Sequence, residues 1–344
     1  MNKIAEICRD LKKDFKPKIR DPAKPVSCWS EKDRLDGKVV DAFVIIFRTR
    51  GCSWALHSGC SMCGYFNDSL FEKISNEDMI RQLDAVMGKY AGEKFVKIFT
   101  SGSFLDEKEI SPIVRKEILS RLVETADKVS VESRAEYVKE EVLSEIKELF
   151  QEKTFEIGIG LETANDQIRE QYLNKGFSFD DYKKAAKTLK KYDFKLKTYV
   201  LIKPPFISEK EAVDDAISTV EKIKDITDTV SFNPTNIQRN TLVSRLWGQK
   251  LYRAPWLWSV IEILRQSKKT APDVYIKCDI SGGGGNRGAH NCRNCDHDFL
   301  DRIKKFSLSQ DTKIFQNLKC ECYEKYQDQL DLENLSCGSI IDIK

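Results

Sequence analysis

The strongest constraint on the fold is an alternation of strand-like and helix-like segments. Apolar runs of strand length recur along the chain, separated by segments of mixed charge and helical composition. The runs are VVDAFVIIF (39–47), FVKIFT (95–100), KVSVES (128–133), FEIGIGLE (155–162), LKTYVLI (196–202) and TVSFNP (229–234). Five strand-to-helix crossovers in a row predict an α/β fold with a parallel sheet, either doubly wound or closing toward a barrel. In both arrangements the reactive groups belong at the carboxyl ends of the strands.

The same alternation divides the chain into three regions. Residues 1–38 are polar and contain three prolines, which predicts an N-terminal arm or an initial helix. Residues 39–235 hold the alternation and are predicted to form the core domain. The repeat ends after Asn233, so residues 236–344 are predicted to form a smaller C-terminal region. A chain of 344 residues has room for one large catalytic domain and such an addition.

Composition and charge exclude several classes of protein. Hydrophobic residues make up 41% and charged residues 32% of the chain, which excludes disordered and fibrous proteins. No apolar run approaches the ~18 to 20 residues that span a bilayer, and residues 1–10 are too charged for a signal peptide. We therefore expect a soluble, cytoplasmic protein with no membrane partner. The net charge of +3 is too small to indicate a nucleic-acid partner by itself.

Eleven cysteines are unusual for such a chain and indicate metal ligands or catalytic thiols rather than disulfides. Most fall into an early and a late group, with none between Cys63 and Cys278, so two separate sites are predicted. Cys8, Cys28 and Cys337 stand apart from both groups, and we expect them to be thiols without a functional partner.

The early group lies in GCSWALHSGCSMCGY, directly after the first apolar run. This position puts Cys52, Cys60 and Cys63 at the carboxyl end of the first predicted strand. Three thiolates can hold three irons of a 4Fe–4S cluster and leave the fourth iron open to chelate a small molecule. The alternative is a zinc site with His57 as the fourth ligand.

A cysteine triplet at this place in a strand-helix repeat resembles the radical S-adenosylmethionine (SAM) superfamily, whose fold is a partial (β/α)6 TIM-like barrel. The resemblance implies a 4Fe–4S cluster on Cys52, Cys60 and Cys63, with SAM as the second cofactor. The chain departs from the commonest spacing of three and two intervening residues, because it has seven and two. Met62 also stands where an aromatic residue usually precedes the last cysteine.

Two further segments resemble the SAM-binding motifs of that fold, in the correct order. TSGSF follows the second strand and offers Ser101, Gly102 and Ser103, which the resemblance assigns to the amino group of SAM. VESRAEY follows the third strand and is similar to a segment of the Elongator-type branch. That similarity implies ribose and carboxylate contacts from Glu132 and Arg134.

A narrower resemblance covers nearly the whole chain. SFNPTNIQRNTLVSRLW, APWLW, RGAHNCRNCD and FSLSQD are similar to an archaeal radical SAM family that works with archaeosine synthase to make the tRNA base archaeosine. It implies a radical SAM C–N lyase acting on tRNA whose 7-deazaguanine nitrile has been joined to the side-chain amine of lysine (preQ0-lysine). An electron donor is a further implied partner. Two alternatives remain, namely another radical SAM RNA-modifying enzyme and a zinc-organised RNA-binding protein without catalysis.

Three more site residues follow from the resemblance. Tyr65 is predicted to contact the cofactor. Glu162 ends the fourth strand and Lys203 follows the fifth, so both are candidate catalytic residues that would bind the charged groups of the lysine moiety.

The segment 239–270 suggests the RNA partner independently. It contains seven basic residues and one acid, Glu262, with aromatic residues between them. The basic residues are Arg239, Arg245, Lys250, Arg253, Arg265, Lys268 and Lys269, and the aromatic ones are Trp247, Tyr252, Trp256 and Trp258. Cations bind phosphate and flat rings can stack an extruded base, but the helical apolar spacing equally predicts that these rings belong to the core.

The late cysteines predict a second metal site. Cys278 is followed by CxxC at Cys292 and Cys295 and by CxC at Cys320 and Cys322. CxxC lets two thiolates meet one ion, and a second pair completes a four-thiolate site. We predict structural zinc rather than an auxiliary iron-sulfur cluster, held by Cys292, Cys295, Cys320 and one of Cys278 or Cys322. His290 competes for a place.

Overall fold

The structure is a computed structural model that describes residues 3–13, 15–16 and 18–334. Cys337 lies outside the described residues, as does the end of the predicted C-terminal region. Within the described part, no helix is both long and apolar enough to cross a membrane.

One eight-stranded sheet organises the chain, with its strands in sequence order from one edge to the other. The first two strands are antiparallel and every later neighbour is parallel. The strands are β1 (Ser27–Leu35), β2 (Lys38–Ile46), β3 (Phe95–Phe99), β4 (Lys128–Ser133), β5 (Thr154–Glu162), β6 (Lys195–Ile202), β7 (Thr229–Pro234) and β8 (Tyr275–Cys278).

Helices precede, connect and follow the parallel strands. They are α1 (Lys3–Lys13), α2 (Ser53–His57), α3 (Asn76–Met87), α4 (Pro112–Val123), α5 (Glu140–Phe150), α6 (Phe179–Lys191), α7 (Glu209–Ile223), α8 (Leu242–Gly248), α9 (Leu257–Thr270), α10 (Asp296–Ser309) and α11 (Cys322–Asn334). Local sequence sets several starts: Ser178 and Ser208 each form a capping box with the acid three residues later. Such caps satisfy amide groups that the first helical turn leaves unpaired.

The two faces of the sheet differ in polarity because alternate side chains point in opposite directions. Thr198 of β6 bonds the hydroxyl of Tyr182 on α6 (2.6 Å), so it faces the helices. Its neighbour Lys197 instead reaches Glu156 on β5 (3.0 Å) and Ser130 on β4 (3.0 Å). The strands are buried as predicted, but the inner face carries paired charges while the outer face supplies the apolar core.

The sheet curls until its two edges approach each other. Asp33 on β1 accepts a hydrogen bond from the Tyr275 hydroxyl on β8 (3.0 Å) and lies 3.1 Å from Lys277 Nζ. Lys97 on β3 contacts the same carboxylate. Despite burial, Lys277 and Lys97 hold the pKa of Asp33 well below its usual range. The edges are joined by side chains and not by a strand ladder, which confirms the predicted partial barrel.

Two strands differ from the sequence prediction. The segment 27–35 was expected in an N-terminal arm, but it forms β1. This strand is polar, and Asp33 is its one buried residue, so no apolar run indicates it. The repeat was expected to end at Asn233, but α9 and β8 extend it by one parallel strand. β8 has only four residues, which is too short for periodicity to reveal.

Candidate functional site

The early cysteines lie in the loop after β2, at the carboxyl end of the barrel strands. Cys52 precedes the first residue of α2, and the amide of Cys63 donates to the carbonyl of Cys60 (3.3 Å). Burial raises the pKa of the Cys52 thiol, and it raises the pKa of Cys63 to about 12. Burial therefore disfavours the thiolate form of both side chains, and metal binding is coupled to the loss of their protons.

The early and late cysteines differ in how tightly their sulfurs are grouped. A tetrahedral zinc site needs its sulfurs about 3.8 Å apart. Among the described residues, the late cysteines form a group whose ligand atoms all lie within 4.8 Å of one another, and the early triplet does not form such a group. His57, the alternative fourth ligand, stacks on Trp54 at 5.2 Å.

The predicted SAM-binding loop after β3 packs directly on the cysteine loop. A Cβ atom on Gly102 would come within 2.5 Å of the Cys52 Cα. The amide of Ser103 donates to Glu109 (2.5 Å), whose other oxygen accepts from the Thr49 hydroxyl (2.5 Å). Burial raises the pKa of Glu109 to about 7, although these donors oppose the shift. Glu109 ties the two loops together, and the sequence analysis missed it.

Arg134 presents an unused donor beside the cysteines. Its backbone amide donates to Ser103 Oγ (3.1 Å), and its Nε pairs with Glu136 (2.5 Å). Its guanidinium lies 5.3 Å from the rings of both Trp54 and Phe177. Nη2 is buried without a hydrogen-bond partner. Because an unpaired buried donor costs about 1–3 kcal/mol, this position suits an anionic ligand group such as the carboxylate of SAM.

Three cations surround the cysteine loop, and two of them were missed by the sequence analysis. Arg134 interacts electrostatically with Cys52 and Cys60, and Lys175 with Cys60. Lys12, from α1, interacts with all three cysteines of the group. Lys175 belongs to a segment after β5 whose spacing carries no metal signal, and Lys12 lies in the predicted arm.

Glu132 lies on the inner face at the end of β4. Its carboxylate accepts a hydrogen bond from Tyr199 on β6, and burial raises its pKa to about 7. Gly158 makes room for this ring, because a Cβ there would lie 2.8 Å from Tyr199 Cε2. Tyr65 faces the same region, because Glu132 and Cys63 both interact electrostatically with its hydroxyl. Its side chain is 60% exposed.

The two predicted catalytic residues are separated. Glu162 pairs with Lys175 (2.6 Å) close to the cysteine loop. Lys203 instead forms a fully buried ion pair with Glu209 on α7 (2.7 Å). Glu209 also accepts hydrogen bonds from the Trp256 amide (2.8 Å) and the Ser259 hydroxyl (2.6 Å). Lys203 therefore holds the C-terminal helices to the barrel, and its ammonium is not presented at the rim as the sequence predicted.

The late cysteines form a compact site between α9, α10 and α11. The sulfur of Cys292 lies 3.7 Å from that of Cys295 and 3.5 Å from that of Cys320. The Cys295 and Cys322 sulfurs are 3.8 Å apart. Cys278 takes no part, because it is buried in the main core at the end of β8. The four places therefore go to the CxxC and CxC pairs.

Hydrogen bonds to sulfur support this second site. Asn291 Nδ2 donates to Cys295 and Trp258 Nε1 to Cys322, both at 3.4 Å. Although burial opposes it, backbone and thiol donors lower the pKa of Cys292 to about 7. His290 bonds the Gly288 carbonyl (2.8 Å) and is not among the four ligands.

The basic and aromatic segment divides into a buried and an exposed part. Tyr252 and Trp256 are buried, and Trp258 packs edge-on against Phe299, so these rings belong to the core. Trp247 is half-buried beneath the guanidinium of Arg287 (4.5 Å).

Three exposed cations of this segment gather around α8, namely Arg239, Arg245 and Lys250, while Arg265 and Lys269 are exposed on α9. The α8 region borders the cysteine loop, because the Val243 amide donates to the Ser61 carbonyl (3.3 Å) and the Gly64 amide to Gln238 (2.5 Å).

Comparisons with known proteins identify the family of this chain. The family model described as "Radical SAM superfamily" matches residues 46–216. The chain is 40% identical to archaeosine synthase subunit beta of Methanosarcina acetivorans, covering 96% of this chain and 97% of that protein. It is also 40% identical to archaeosine synthase subunit beta of Thermococcus kodakarensis, covering 87% and 94%. Among solved structures, Elp3 of Methanocaldococcus infernus with an N-terminal deletion is similar at 17% identity and a TM-score of 0.48, covering 67% and 58%.

Proposed function

This chain belongs to the radical SAM superfamily and, within it, to the family of archaeosine synthase beta subunits (RaSEA), and on that premise we propose that it is a tRNA lyase. It cleaves the C–N bond of a lysine-adducted 7-deazaguanine (preQ0-lysine) in tRNA to give archaeosine. The observation that carries the proposal is the likeness to two archaeosine synthase beta subunits over most of each chain.

The bond to be broken explains why a radical enzyme is needed. An unactivated methylene beside nitrogen is not acidic enough for any side chain to deprotonate. When bound, the 4Fe–4S cluster and SAM supply one electron and a 5′-deoxyadenosyl radical that takes a hydrogen atom from carbon. The lysine carbon next to the amidine nitrogen would give that hydrogen atom to the radical, forming 5′-deoxyadenosine, and would then return one electron to the oxidised cluster. SAM would be consumed as methionine and 5′-deoxyadenosine, so the electrons balance. Water adds to this carbon, the C–N bond breaks, and the products are the amidine base, a lysine-derived aldehyde and a proton.

Residues at the carboxyl ends of the barrel strands bind both cofactors, the 4Fe–4S cluster and SAM. Cys52, Cys60 and Cys63 hold the cluster. The loop of Ser101, Gly102 and Ser103 receives the amino group of SAM, and its close packing on Cys52 supports that placement. The free Nη2 of Arg134 receives the carboxylate of SAM, and Glu132 and Tyr65 contact the nucleoside from the inner face.

Glu162 serves the substrate in this proposal. Its carboxylate is held by Lys175 at 2.6 Å and lies near the cysteine loop, where the lysine moiety must enter. A carboxylate positioned in this way binds the ammonium of that moiety. Lys203 has no such role, because Glu209 neutralises it inside the fold.

The tRNA partner docks beside the cysteine loop. Arg239, Arg245 and Lys250 are exposed around α8, which contacts that loop. Exposed cations beside the cysteine loop can bind phosphates while the modified base reaches that loop. Archaeosine synthase is the second partner and is a protein, since the relatives are named as its beta subunits.

Zinc occupies the late site in this proposal. Sulfur separations of 3.5, 3.7 and 3.8 Å match tetrahedral thiolates around one zinc ion. A structural ion there joins α11 to the barrel through Cys320 and Cys322.

The decisive experiment uses tRNA that carries the lysine adduct. Reduced protein and SAM should convert the adduct to archaeosine with formation of 5′-deoxyadenosine, both measured by mass spectrometry. Cys60→Ala should abolish both products. Cys28→Ala is the matched control, because Cys28 is a half-buried cysteine on β1 that belongs to neither cysteine group, and it should keep both.

Two results would count against the proposal. If 5′-deoxyadenosine forms but the adduct is untouched, the chain is a radical SAM enzyme with another substrate. If SAM stays intact under reduction, the assignment of the cysteine triplet itself fails.

A further inference from the structure

The unusual spacing of the early cysteines has a structural counterpart in the N-terminal helix. The seven residues between Cys52 and Cys60 include the short helix α2, which ends at His57. The side chain of Lys12, on α1, donates a hydrogen bond to the carbonyl of Ala55 in this helix (2.7 Å). The lengthened loop thus forms the surface on which α1 docks.

The fit between Lys12 and the loop is close. Gly59 has a φ of 80°, and a Cβ atom there would overlap with Lys12 Nζ, so a glycine leaves the space that the ammonium fills. The ammonium also lies over the ring of Phe66, 5.2 Å from its centre. Cys8, one helical turn earlier on the same face, is 3% exposed.

Lys12 differs from the other two cations at the loop in how its charge is compensated. Arg134 is paired with Glu136 and Lys175 with Glu162, so a carboxylate neutralises each of them. In the described part of the chain, no carboxylate lies within ion-pairing distance of Lys12, whose partner is a backbone carbonyl. Its positive charge therefore interacts with Cys8 and with the three cysteines of the loop without a neutralising carboxylate.

We propose that Lys12 is a positioning residue of the 4Fe–4S centre, which holds the lengthened cysteine loop and favours the reduced form of the cluster. The reduced cluster carries one more negative charge than the oxidised one, and a partly buried cation stabilises it by Coulomb attraction. This inference rests on the cluster assignment and does not depend on the lysine-adduct reaction.

The test compares four full-length proteins after anaerobic reconstitution. They are the wild type, Lys12→Gln, Lys12→Arg and Lys13→Met. Glutamine can still donate to Ala55 but has no charge, and arginine keeps the charge. Lys13 is the matched control, since its side chain is 71% exposed and pairs with Asp10. The measurements are iron content and the reduction potential of the cluster, followed by its electron paramagnetic resonance signal in a redox titration.

Lys12→Gln should show a tenfold lower ratio of reduced to oxidised cluster at a fixed potential, which is 59 mV for one electron. Lys12→Arg and Lys13→Met should titrate like the wild type. Loss of iron in Lys12→Gln but not in Lys12→Arg also supports the proposal, because it shows that the charge holds the loop.

Equal potentials in the wild type and a loaded Lys12→Gln protein overturn the proposal. So does equal loss of iron in Lys12→Gln and Lys12→Arg, which would show that shape matters and charge does not. A wild type that binds no cluster contradicts the proposed function itself, so the two failures are distinguishable.

Discussion

Gly102 and Cys52 are in backbone contact across two loops, with only 2.5 Å between the Cys52 Cα and the place where a Cβ on residue 102 would lie. The contact joins the loop after β3, predicted to bind SAM, to the first cysteine of the early group. Because the two backbones are this close, a shift of one displaces the other, so the proposed SAM site and the proposed cluster site are mechanically linked.

Gly102→Ala is therefore expected to weaken both functions. The added methyl group pushes the two loops apart, and we expect at least a tenfold weaker SAM affinity by calorimetry together with lower iron content. Gly248→Ala is the control, because a Cβ at that position meets nothing within 4 Å. Unchanged SAM affinity in Gly102→Ala would contradict the proposed cofactor site.

The late site is expected to bind one zinc ion per chain. Cys320→Ala should lower zinc affinity on the order of 100-fold or more and increase hydrogen exchange in α11, which carries Cys322. Cys278→Ala should retain the metal, because Cys278 is buried in the core away from the four sulfurs. Metal analysis of the purified proteins decides the point, and iron in place of zinc would disprove the assignment.

Lys203→Met is expected to destabilise the fold by about 3–5 kcal/mol, because it leaves the fully buried carboxylate of Glu209 without its cation. Urea unfolding measures the change. Lys224→Met, which breaks an exposed pair with Glu221, should leave the unfolding midpoint unchanged. A folded Lys203→Met protein with normal stability but no turnover would restore the catalytic role predicted from sequence.

The stability of the wild type should fall as the pH rises from 4.5 to 7. Burial raises the pKa of Glu132 from 4.5 to about 7, so in this window the folded chain keeps a proton that the unfolded chain releases. Titration of Glu132 lowers the free energy of unfolding by at most about 3 kcal/mol over this range. Glu132→Gln removes the group and should show a smaller fall between these pH values in urea unfolding. Identical pH dependence in the two proteins would show that Glu132 does not titrate between these pH values.

Reversal of charge around α8 is expected to weaken tRNA binding. Arg245→Glu combined with Lys250→Glu should raise the dissociation constant roughly tenfold and make its salt dependence shallower, without changing SAM cleavage. The control reverses Lys183 and Lys187 on α6, which are equally exposed. A fluorescence titration at several salt concentrations measures both quantities, and equal effects of the two pairs would argue against this docking surface.

Local sequence pattern was enough to predict the parallel sheet and the two groups of cysteines, and the family resemblance added the partial barrel. The alternation from Val39 to Pro234 specifies six parallel strands, and the positions of the triplet and of CxxC follow from spacing alone. Periodicity carries this information because each element displays its own buried face within a few residues.

Only the tertiary structure decided which distant residues meet. It chose Cys322 over Cys278, paired Lys203 with Glu209, placed β1 and β8 at the edges of the sheet, and brought Lys12 to the cysteine loop. The local sequence around each of these residues does not indicate its partner. Ion pairs and metal sites depend on distances between residues that are set only once the chain has folded.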